Sequence, residues 1–378
     1  MTPDVTYKKL GEVGQVITGN TPSTKDARNY ASNDVCFFKP SDFDASSITQ
    51  LDKSEYYISN YAYEHARQLP KDSVLTTCIG IIGKVGILSH DATCNQQINA
   101  IIPNQDIVLP RYLGYALLSI KEFLTKTANA PVVPLLNKSQ FSAVSIPIPS
   151  LDIQHSIVCE LDAINAIIAD KKQQLAELDT LAQAIFYNMF GAPITNDKGW
   201  EVKTIGEVAT FYNGKAHEQD INEEGRYILV NSKFISSDAS IFKRTDKQNM
   251  PLFKNDIIMV MSDVPNGRAL AKCMLIDEDN KYTLNQRICA FRGYQEVPIY
   301  LLYILNRHPY YLAFDDGDSQ TNLRKDDVLA CPIPLPPLSL QQAFAAKIEA
   351  IEEQKSAVRA SLTEFESLLA QRLEHHFA

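Results

Sequence analysis

The sequence predicts an α+β protein with two homologous, strand-rich globular domains, joined by two long helices that pack as an antiparallel coiled coil. Three observations predict this fold class: the chain repeats itself once, each copy contains short strand-like segments, and each copy ends in a heptad pattern. At 378 residues the chain also exceeds what one hydrophobic core usually serves. The predicted globular domains are residues 1–151 and 191–337, and the predicted long helices are residues 152–190 and 338–378.

Three pairs of phrases recur in the same order in both halves. The pairs are KKLGEVGQVITGN at 8–20 with KTIGEVATFYNGK at 203–215, CNQQINAII at 94–102 with LNQRICAFR at 284–292, and IPIPSLDIQ at 146–154 with IPLPPLSLQ at 333–341. From the first pair to the last, the offset falls from 195 to 187 residues, so the copies differ in loop length. A single repeat of this size indicates two copies of one domain rather than a short-period solenoid.

Each copy contains short segments rich in Val, Ile, Phe and Tyr, separated by turns rich in Gly, Pro, Asn and Asp. This alternation is typical of strands. The clearest strand segments are VCFF at 35–38, SVLTTC at 73–78, KVGILS at 84–89, RYILV at 226–230 and DIIMVM at 256–261. One amphipathic helix is predicted later in each copy, near 110–126 and 298–313, and each begins close to a proline.

The strongest periodic signal follows each proline-rich phrase. Residues of a mainly apolar stripe recur at spacings of four and three over more than four heptads, which predicts a helix of about 33 residues and roughly 50 Å. Because one helix cannot shield such a stripe alone, the two should pack on each other. Lys171 and Lys355 lie within the stripes, where a lysine either extends its charge to solvent or fixes the pairing register. The predicted interface residues are Ile157, Leu161, Ile164, Ile168, Leu175, Leu178, Ile185, Ile348, Ile351, Val358, Leu362, Phe365 and Leu369.

The net charge of −9 argues against a nucleic-acid partner until its distribution is considered. Residues 152–190 contain six acidic and two basic residues, and residues 338–378 contain six acidic and four basic residues. The helices therefore hold most of the negative charge, and the globular domains are close to neutral. Neither a secretory signal nor an apolar run long enough for a bilayer is evident, so we expect a cytoplasmic protein.

Patterns for catalysis or metal binding are not evident either. The seven cysteines form no CxxC pair and are expected to be reduced, mostly buried thiols. CIGIIGKVG at 78–86 lacks Walker A spacing and has Val85 where the hydroxyl should be, so it is interpreted as a tight turn between strands. If this segment were instead the nucleotide-binding loop of an enzyme, Lys84→Ala should abolish nucleotide binding. His217 and His308 are expected to be solvated loop residues, and no catalytic residue, metal or cofactor is expected on this chain.

Clusters of Lys, Arg, Asn and Gln occupy equivalent places in the two copies, such as NQQ at 95–97 and NQR at 285–287. Side chains of these types recognise base edges and neutralise phosphates. The predicted DNA contacts of the first copy are Lys39, Lys84, Asn95, Gln96, Gln97 and Lys138. Those of the second copy are Lys215, Lys233, Lys243, Arg244, Arg268, Asn285, Gln286, Arg287, Arg324 and Lys325.

The order of these features resembles the specificity subunit of type I restriction-modification systems over the whole chain. The resemblance is carried by the LGEV phrase, the NQ segment, the IPxPxL phrase ending in Gln, and the long helix, each present twice. TGNTPS at 18–23 matches the Gly-x-Thr-Pro-Ser element of the family and adds Thr21 and Ser23 to the predicted DNA contacts. The second copy departs from this element with NGKAHE, while its IPLPPLSLQQ comes nearer than IPIPSLDIQ to the family's Pro-Pro-Leu-x-Glu-Gln.

The resemblance implies a subunit without catalysis of its own. Each globular domain would be a target recognition domain for one half of a bipartite, asymmetric site in double-stranded DNA. The two helices would space these domains and hold two modification subunits, which bind S-adenosylmethionine and methylate adenine. Restriction subunits, with ATP and Mg²⁺, would join the complex, so all cofactors are expected on the partners.

Two other functions remain compatible with the sequence. The chain could be the specificity subunit of a two-subunit type II system, in which the partner both cleaves and methylates. It could also be a coiled-coil scaffold whose globular ends bind proteins, and such a scaffold would show no base recognition.

Overall fold

A computed structural model describes residues 6–128, 134–217 and 219–377. The chain divides into two units. Unit 1 comprises Met1–Lys172 with Ala360–Ala378, and unit 2 comprises Gln173–Arg359. Each boundary falls inside a long helix, so each unit contains a globular part and a segment of both helices.

The described residues of unit 1 form three β-sheets and several short helices. Its strands are β1 (Thr6–Lys9), β2 (Gly14–Thr18), β3 (Val35–Phe38), β4 (Ile48–Leu51), β5 (Tyr57–Ile58), β6 (Val74–Thr77), β7 (Val85–Leu88), β8 (Thr93–Cys94), β9 (Ile98–Pro103) and β10 (Ser145–Ile148). Its helices are α1 (Leu10–Val13), α2 (Asn60–His65), α3 (Pro110–Ser119), α4 (Lys121–Thr127), α5 (Lys138–Ala143) and the first part of α6 (Leu151–Phe190). The sheets have the strand orders β2-β9-β6-β7-β4, β5-β3-β8 and β1-β10.

Unit 2 repeats this plan with a smaller main sheet. Its strands are β11 (Glu201–Thr204), β12 (Thr210–Asn213), β13 (Tyr227–Val230), β14 (Lys243–Thr245), β15 (Ile257–Val260), β16 (Ser262–Asp263), β17 (Cys273–Leu275), β18 (Tyr282–Leu284), β19 (Ile288–Arg292), β20 (Thr321–Asn322) and β21 (Pro332–Leu335). Its helices are α7 (Ile205–Val208), α8 (Ser232–Ser236), α9 (Pro298–Leu305), α10 (Pro309–Leu312), α11 (Lys325–Leu329) and part of α12 (Leu338–Phe377). The sheets have the orders β12-β19-β15-β17, β14-β13-β18, β16-β20 and β11-β21.

The five strand segments that the sequence predicts most clearly form β3, β6, β7, β13 and β15. The segment 78–84 is the connection between the antiparallel strands β6 and β7, as predicted. The repeated LGEV and IGEV phrases are one-turn helices. Their N-terminal ends are capped because Glu12 accepts from the Lys9 N–H and Glu207 accepts from the Thr204 N–H, each at 2.7 Å.

Each predicted amphipathic helix is broken into two. The pattern near 110–126 forms α3 and α4, which are separated at Ile120. The pattern near 298–313 forms α9 and α10, because Arg307 has a φ of 51° and Pro309 cannot continue a helix without losing a hydrogen bond. Hydropathy alone did not reveal these breaks.

The proline-rich phrases are strands. In unit 1, β10 pairs antiparallel with β1, so that Tyr7 lies opposite Pro147. In unit 2, β21 pairs antiparallel with β11, so that Val202 lies opposite Pro334. Both strands of a two-stranded sheet are edge strands, where a missing N–H is tolerated.

The long helices α6 and α12 have 40 residues each, more than the about 33 residues estimated from the heptad stripe, and therefore extend about 60 Å. In unit 1, Ile157 and Leu161 of α6 belong to the core, and Leu369 and Leu373 of α12 pack against it. In unit 2, Phe186 of α6 contacts Phe344 of α12, and their ring centroids are 5.6 Å apart.

The pairing of the two helices is antiparallel within each unit. Early residues of α6 meet late residues of α12 in unit 1, and the reverse holds in unit 2. The predicted interface residues of both helices are buried or half-buried. The predicted fold class is therefore confirmed.

Lys355 is one of the two lysines in the predicted stripes, and only 8% of it is exposed. Its Nζ lies 2.7 Å from Asp179 Oδ1 on α6 and 2.6 Å from Glu352 Oε1. Burial by itself lowers the pKa of Lys355, but the hydrogen bonds with Asp179 and Glu352 outweigh it and raise that pKa overall. Because this charge is held between the helices, the structure favours the interpretation that Lys355 fixes the register.

Among the described residues, no helix is both long and apolar enough to cross a membrane.

Candidate nucleic-acid interface

Three loops and a helix start meet at one edge of the five-stranded sheet in unit 1. Strands β2 and β6 end at this edge, and β7 and β9 begin there, because Asn99 pairs with both Thr18 and Thr76, and Thr76 pairs with Val85. We call this surface rim 1. It comprises residues 19–23, 78–84, 95–97 and 134–138.

Backbone hydrogen bonds join the segments of rim 1 to one another and to the neighbouring strands. The bonds run from Gly19 N to Ile98 O (3.0 Å), from Asn20 N to Cys94 O (3.0 Å), from Cys78 N to Gln97 O (2.8 Å), from Asn95 N to Phe38 O (3.1 Å) and from Leu136 N to Cys78 O (2.9 Å). The loops are therefore held in fixed positions, as a recognition surface requires.

Unit 2 contains the same construction, which we call rim 2. It comprises residues 214–217, 261–272, 285–287 and 322–325. The corresponding bonds run from Gly214 N to Ile288 O (3.0 Å), from Lys215 N to Leu284 O (3.1 Å), from Met261 N to Arg287 O (3.0 Å), from Asn285 N to Val230 O (2.9 Å) and from Leu323 N to Met261 O (2.8 Å). The sequence repeat is thus matched bond for bond, although the side chains differ.

The glycine that follows β2 in unit 1 and β12 in unit 2 is required by close backbone approach. A Cβ at Gly19 would lie 2.2 Å from the carbonyl oxygen of Asn95, and a Cβ at Gly214 would lie 1.8 Å from that of Asn285. Only glycine lets the first segment of each rim lie against the Asn-Gln turn, which is 95–97 in rim 1 and 285–287 in rim 2.

Most of the predicted DNA contacts of the first copy lie on or beside rim 1 with accessible side chains. Thr21, Ser23, Gln96 and Lys138 are exposed, and Gln97 is half-buried. The hydroxyl of Thr21 donates to Gln96 Oε1 at 2.5 Å, so these two side chains form one polar unit. Lys39 follows β3 and is half-buried because its Nζ lies over the ring of Tyr56, 3.0 Å from the ring centroid.

Two predicted contacts in unit 1 have structural roles instead. Lys84 donates to the carbonyl oxygens of Pro40 (3.1 Å) and Phe43 (2.9 Å), so its ammonium is already satisfied within the chain. Asn95 is only 6% exposed, and its amide donates to Gln97 Oε1. We therefore no longer assign Lys84 and Asn95 to the interface.

The counterpart of Lys84 in unit 2 is Lys272, which the sequence did not suggest. The carbonyl of Lys84 accepts from Thr77 N, and the carbonyl of Lys272 accepts from Val260 N in the equivalent place. The Lys272 ammonium also folds back, donating to Ser236 O (3.3 Å) and Asp238 Oδ1 (2.8 Å). In each unit, therefore, the ammonium group of one lysine holds the segment that follows β3 or β13, and we call this arrangement the lysine clamp. The two lysines are not aligned in the sequence because the loops differ in length.

Rim 2 and the residues beside it carry the exposed cations of the second copy. Lys243 pairs with Leu229 near the end of β13, and α8 follows that strand directly. Arg287 has a φ of 67°, an uncommon conformation for a non-glycine residue. The exposed candidates on or beside rim 2 are Lys215, Lys233, Lys243, Arg268, Gln286, Arg287, Arg324 and Lys325.

Two candidates of the second copy are not accessible in the expected way. Arg244 donates from Nη1 to the Gly225 carbonyl, before the start of β13, and is therefore directed away from rim 2. Asn285 is half-buried, and its Oδ1 is buried without a hydrogen-bond partner in the part of the chain that the structure describes. We assign Arg244 to the support of its strand, and Asn285 is an unsatisfied acceptor on the buried side of rim 2.

The prediction that His217 and His308 are solvated is wrong, since each is only 1% exposed. The Nδ1–H of His217 donates to the Lys215 carbonyl at 2.7 Å, and its Nε2 lies 3.0 Å from Thr283 Oγ1. His308 accepts from Tyr310 N at the start of α10, and burial lowers its pKa to about 4. Both rings are internal supports of unit 2.

The seven cysteines are all free, and six are buried, as predicted. Burial raises the pKa of Cys78 and of Cys331 to about 12, so these thiols stay protonated at neutral pH and are poor nucleophiles. Among the described residues, no group of three or more His, Cys, Asp or Glu side chains could hold a metal ion.

A pair of buried glutamines was missed as structural residues, although both end the repeated proline phrase. Gln154 accepts from Leu109 N, and its amide donates to the carbonyls of Ile107 and Pro149, each at 2.9 Å. Gln341 repeats two of these bonds in unit 2, with Val297 N and Pro336 O, also at 2.9 Å. Both glutamines recur at the same place in a phrase whose other residues change, and this recurrence could have indicated their structural role.

Comparison with known proteins gives a consistent result. The family model of the type I restriction modification DNA specificity domain matches the chain twice, at residues 3–180 and 197–364. The chain is 30% identical over 230 residues to the type I restriction enzyme MjaIX specificity subunit of Methanocaldococcus jannaschii, across 56% of this chain and 53% of the relative. It is 31% identical over 148 residues to the HindI specificity subunit of Haemophilus influenzae, across 39% of this chain and 32% of the relative. These alignments span about half or less of each relative.

Two solved structures share the fold. The S subunit of a type I restriction-modification system from M. genitalium matches with a TM-score of 0.54 and 14% identity, covering 100% of this chain and 97% of that chain. A chain from a study of complex assembly and conformational transition in a type I R-M system matches with a TM-score of 0.59 and 18% identity, covering 99% and 97%.

Proposed function

Because the chain belongs to the type I restriction modification DNA specificity family, we propose that it is the DNA-recognition subunit of a type I restriction-modification complex. Each unit recognises one half of a bipartite, asymmetric site in double-stranded DNA through its rim. The predicted domain limits, 1–151 and 191–337, are kept as the proposed limits of the two target recognition domains. The complex acts in the cytoplasm.

The observation that carries this proposal is the duplication of one polar rim with different side chains. Rim 1 presents Thr21, Gln96 and Lys138, whereas rim 2 presents Lys215, Arg287 and Arg324. Hydroxyl and amide groups both donate and accept, while Arg and Lys only donate, so the two rims match different patterns of base-edge groups. One scaffold with two side-chain sets supports an asymmetric site.

The helices α6 and α12 provide the surface on which two modification subunits dock in this proposal. These partners bind S-adenosylmethionine and transfer its methyl group to adenine, and restriction subunits with ATP and Mg²⁺ join them. The acidic helices then do not oppose DNA binding, because phosphate neutralisation is shared with the partners. The chain itself contributes recognition and no catalytic group.

The experiment is methylome sequencing of a host that carries the chain with its modification subunit. We expect methylated adenines in a split motif with two short blocks around a fixed gap. Gln96→Ala should relax base preference in one block only, and Arg287→Ala in the other, by about tenfold or more in methylation at altered sites.

Lys71→Ala and Lys254→Ala are matched controls, because both lysines are exposed and precede β6 and β15, at the opposite edge from the rims. They should leave the motif unchanged. A motif that does not depend on the chain would contradict the proposal and favour a protein-binding scaffold. A partner that both cleaves and methylates would assign the chain to a two-subunit type II system.

A further inference from the structure

Ile81 and Val264 expose 63% and 62% of their surfaces and stand at matched places in the two rims. Each lies three residues after the residue whose N–H donates to the last residue of the Asn-Gln turn, namely Cys78 in rim 1 and Met261 in rim 2. Single exposed aliphatic residues are common and need no explanation. Recurrence at one structural position in two otherwise different loops does need one.

The loop that carries Ile81 is fixed by internal hydrogen bonds. The carbonyl of Ile81 accepts from Thr77 Oγ1 at 2.6 Å, and Gly83 N donates to the Thr77 carbonyl at 3.0 Å. Gly80 and Gly83 have φ values of 75° and 81°, which permit the tight reversal on either side. The side chain of Ile81 is therefore presented by a preorganised loop.

The loop that carries Val264 reaches the same result with different residues. The N–H of Val264 donates to Asp263 Oδ1, and the carbonyl of Val264 accepts from Gly267 N, each at 2.9 Å. The other carboxylate oxygen of Asp263 accepts from Ala269 N at 2.6 Å. In both rims, hydrogen bonds within the loop therefore hold one branched aliphatic side chain in a fixed position outside the core.

The surroundings of both side chains identify the kind of partner surface. Each aliphatic residue belongs to a rim whose backbone-linked segments also expose groups that suit DNA: Gln96 and Lys138 in rim 1, and Arg287 and Arg324 in rim 2. In the major groove, the 5-methyl group of thymine is the apolar feature among the hydrogen-bonding base edges. An exposed aliphatic group beside hydrogen-bonding side chains matches that mixture.

We propose that Ile81 and Val264 each contact the methyl group of a thymine, one in each half of the DNA site. This inference rests on the proposed function and deepens it, because it assigns a base to a residue that cannot form a hydrogen bond through its side chain. It also extends recognition to thymine, which the polar rim residues cannot distinguish by its methyl group.

The test uses the purified complex of the chain with its modification subunit and DNA carrying the motif found by methylome sequencing. Each thymine of the motif is replaced singly by uracil, which lacks only the methyl group. In each half-site, one replacement should weaken binding by the wild-type complex about three- to fivefold, the effect of exposing one methyl-sized apolar group.

The variants Ile81→Ser and Val264→Ser identify the residue responsible. Ile81→Ser should weaken binding to thymine-containing DNA and abolish the uracil effect in one half-site while leaving it in the other, and Val264→Ser should do the reverse. Ile194→Ser is the control, because Ile194 is 59% exposed but lies between α6 and β11, outside both rims. It should retain both uracil effects, and unchanged thermal melting of all three variants shows that folding is intact.

Three outcomes would overturn the inference while the proposed function stands. These are site-specific binding without any uracil effect, a uracil effect that survives in both serine variants, and an equal loss of affinity for all DNA in these variants, which would indicate a wedge between bases. A half-site without an A·T pair would overturn it as well. Absence of site-specific binding by the wild-type complex would instead contradict the proposed function.

Discussion

At the scale of single residues, lysines on or beside the same rim have different roles. Lys84 and Lys272 donate to internal acceptors, whereas Lys138 and Lys233 are exposed beside the rims. A sequence records the same residue type in both cases. The physical difference is whether the ammonium group already has partners, and that depends on where the 40–43 and 236–238 segments lie.

Lys84→Met should lower the free energy of unfolding by about 1–3 kcal/mol, because two carbonyl oxygens lose a charged donor. Urea denaturation of the full chain measures this change. Lys138→Met is the matched control, since Lys138 is exposed, and it should change stability by less than about 0.5 kcal/mol.

The same pair of variants should behave in the reverse way in DNA binding. In the complex, Lys138→Met should reduce the slope of log affinity against log salt by about one, because one phosphate contact is lost. Lys84→Met should leave that slope unchanged. If Lys84→Met lowers the slope without loss of stability, the clamp role is incorrect.

Glu160 links α6 to the end of α12 within unit 1. Its pKa falls to about 2 because Arg372 donates to it, and His376 adds a second bond, while burial acts in the opposite direction. A carboxylate with a depressed pKa stabilises the fold above its unfolded pKa, about 4.5, and this contribution is lost as the pH falls towards about 2.

Glu160→Gln should therefore lower the melting temperature at pH 7, and its difference from wild type should shrink below about pH 4.5. Because the side chain of Glu160 is 35% exposed, solvent screens the ion pair, and the free energy of unfolding should fall by only about 1 kcal/mol. Glu366→Gln is the control at the exposed pair with Lys172, and it should have a smaller effect at every pH. Equal pH profiles for both variants would contradict the role given to Glu160.

At the scale of elements, the junction between each globular part and its long helix depends on one glutamine. Gln154 ties α6 to the start of α3 and to β10, and Gln341 ties α12 to the start of α9 and to β21. The tyrosines Tyr112 and Tyr300 add hydrogen bonds to the carbonyls of Pro147 and Pro334. The proline-rich phrase is therefore a strand held on both sides, which limits its motion.

Gln154→Leu should lower the free energy of unfolding by about 2–4 kcal/mol, because it leaves one N–H and two carbonyl groups unpaired in the core of unit 1. Urea denaturation measures this loss. Gln173→Leu is the control, since Gln173 is an exposed residue of α6, and it should be nearly neutral. A loss below about 1 kcal/mol in Gln154→Leu would show that the junction does not depend on this side chain.

The elements that the sequence predicted best are those with long periodic patterns. The heptads defined α6 and α12 and their partner faces, because burial of a continuous stripe leaves few alternatives. The breaks at Ile120 and Arg307 and the pairing of β10 with β1 escaped prediction. They depend on local backbone angles and on contacts between residues far apart in sequence.

At the scale of the whole molecule, the repeat and the proposed function together predict that units 1 and 2 act independently on the DNA sequence. Gln96→Ala and Arg287→Ala lie in different units, without a shared partner among the described contacts. Their effects on binding free energy should therefore add within about 0.5 kcal/mol in the double variant. Binding measurements with the complex, on DNA altered in one block or both, check this. A larger departure from additivity would indicate coupling between the units.

The repeat predicts which segments form the candidate site in both units, but not which of their side chains are exposed. The repeat located the right segments, since the NQQ and NQR turns lie in the two rims. It could not separate exposed residues from supporting ones, as Asn95 and Arg244 show. That separation depends on side-chain packing, which the two copies achieve with different residues.

The pairing of β1 with β10 and of β11 with β21 brings the first and last segments of each globular part side by side. Each part thus resembles a cassette with adjacent ends, a geometry in which whole modules can be exchanged or circularly permuted with little strain. Under the proposed function, recombination at these paired strands would give the protein a new DNA preference, while the helices proposed to hold the partners stay unchanged.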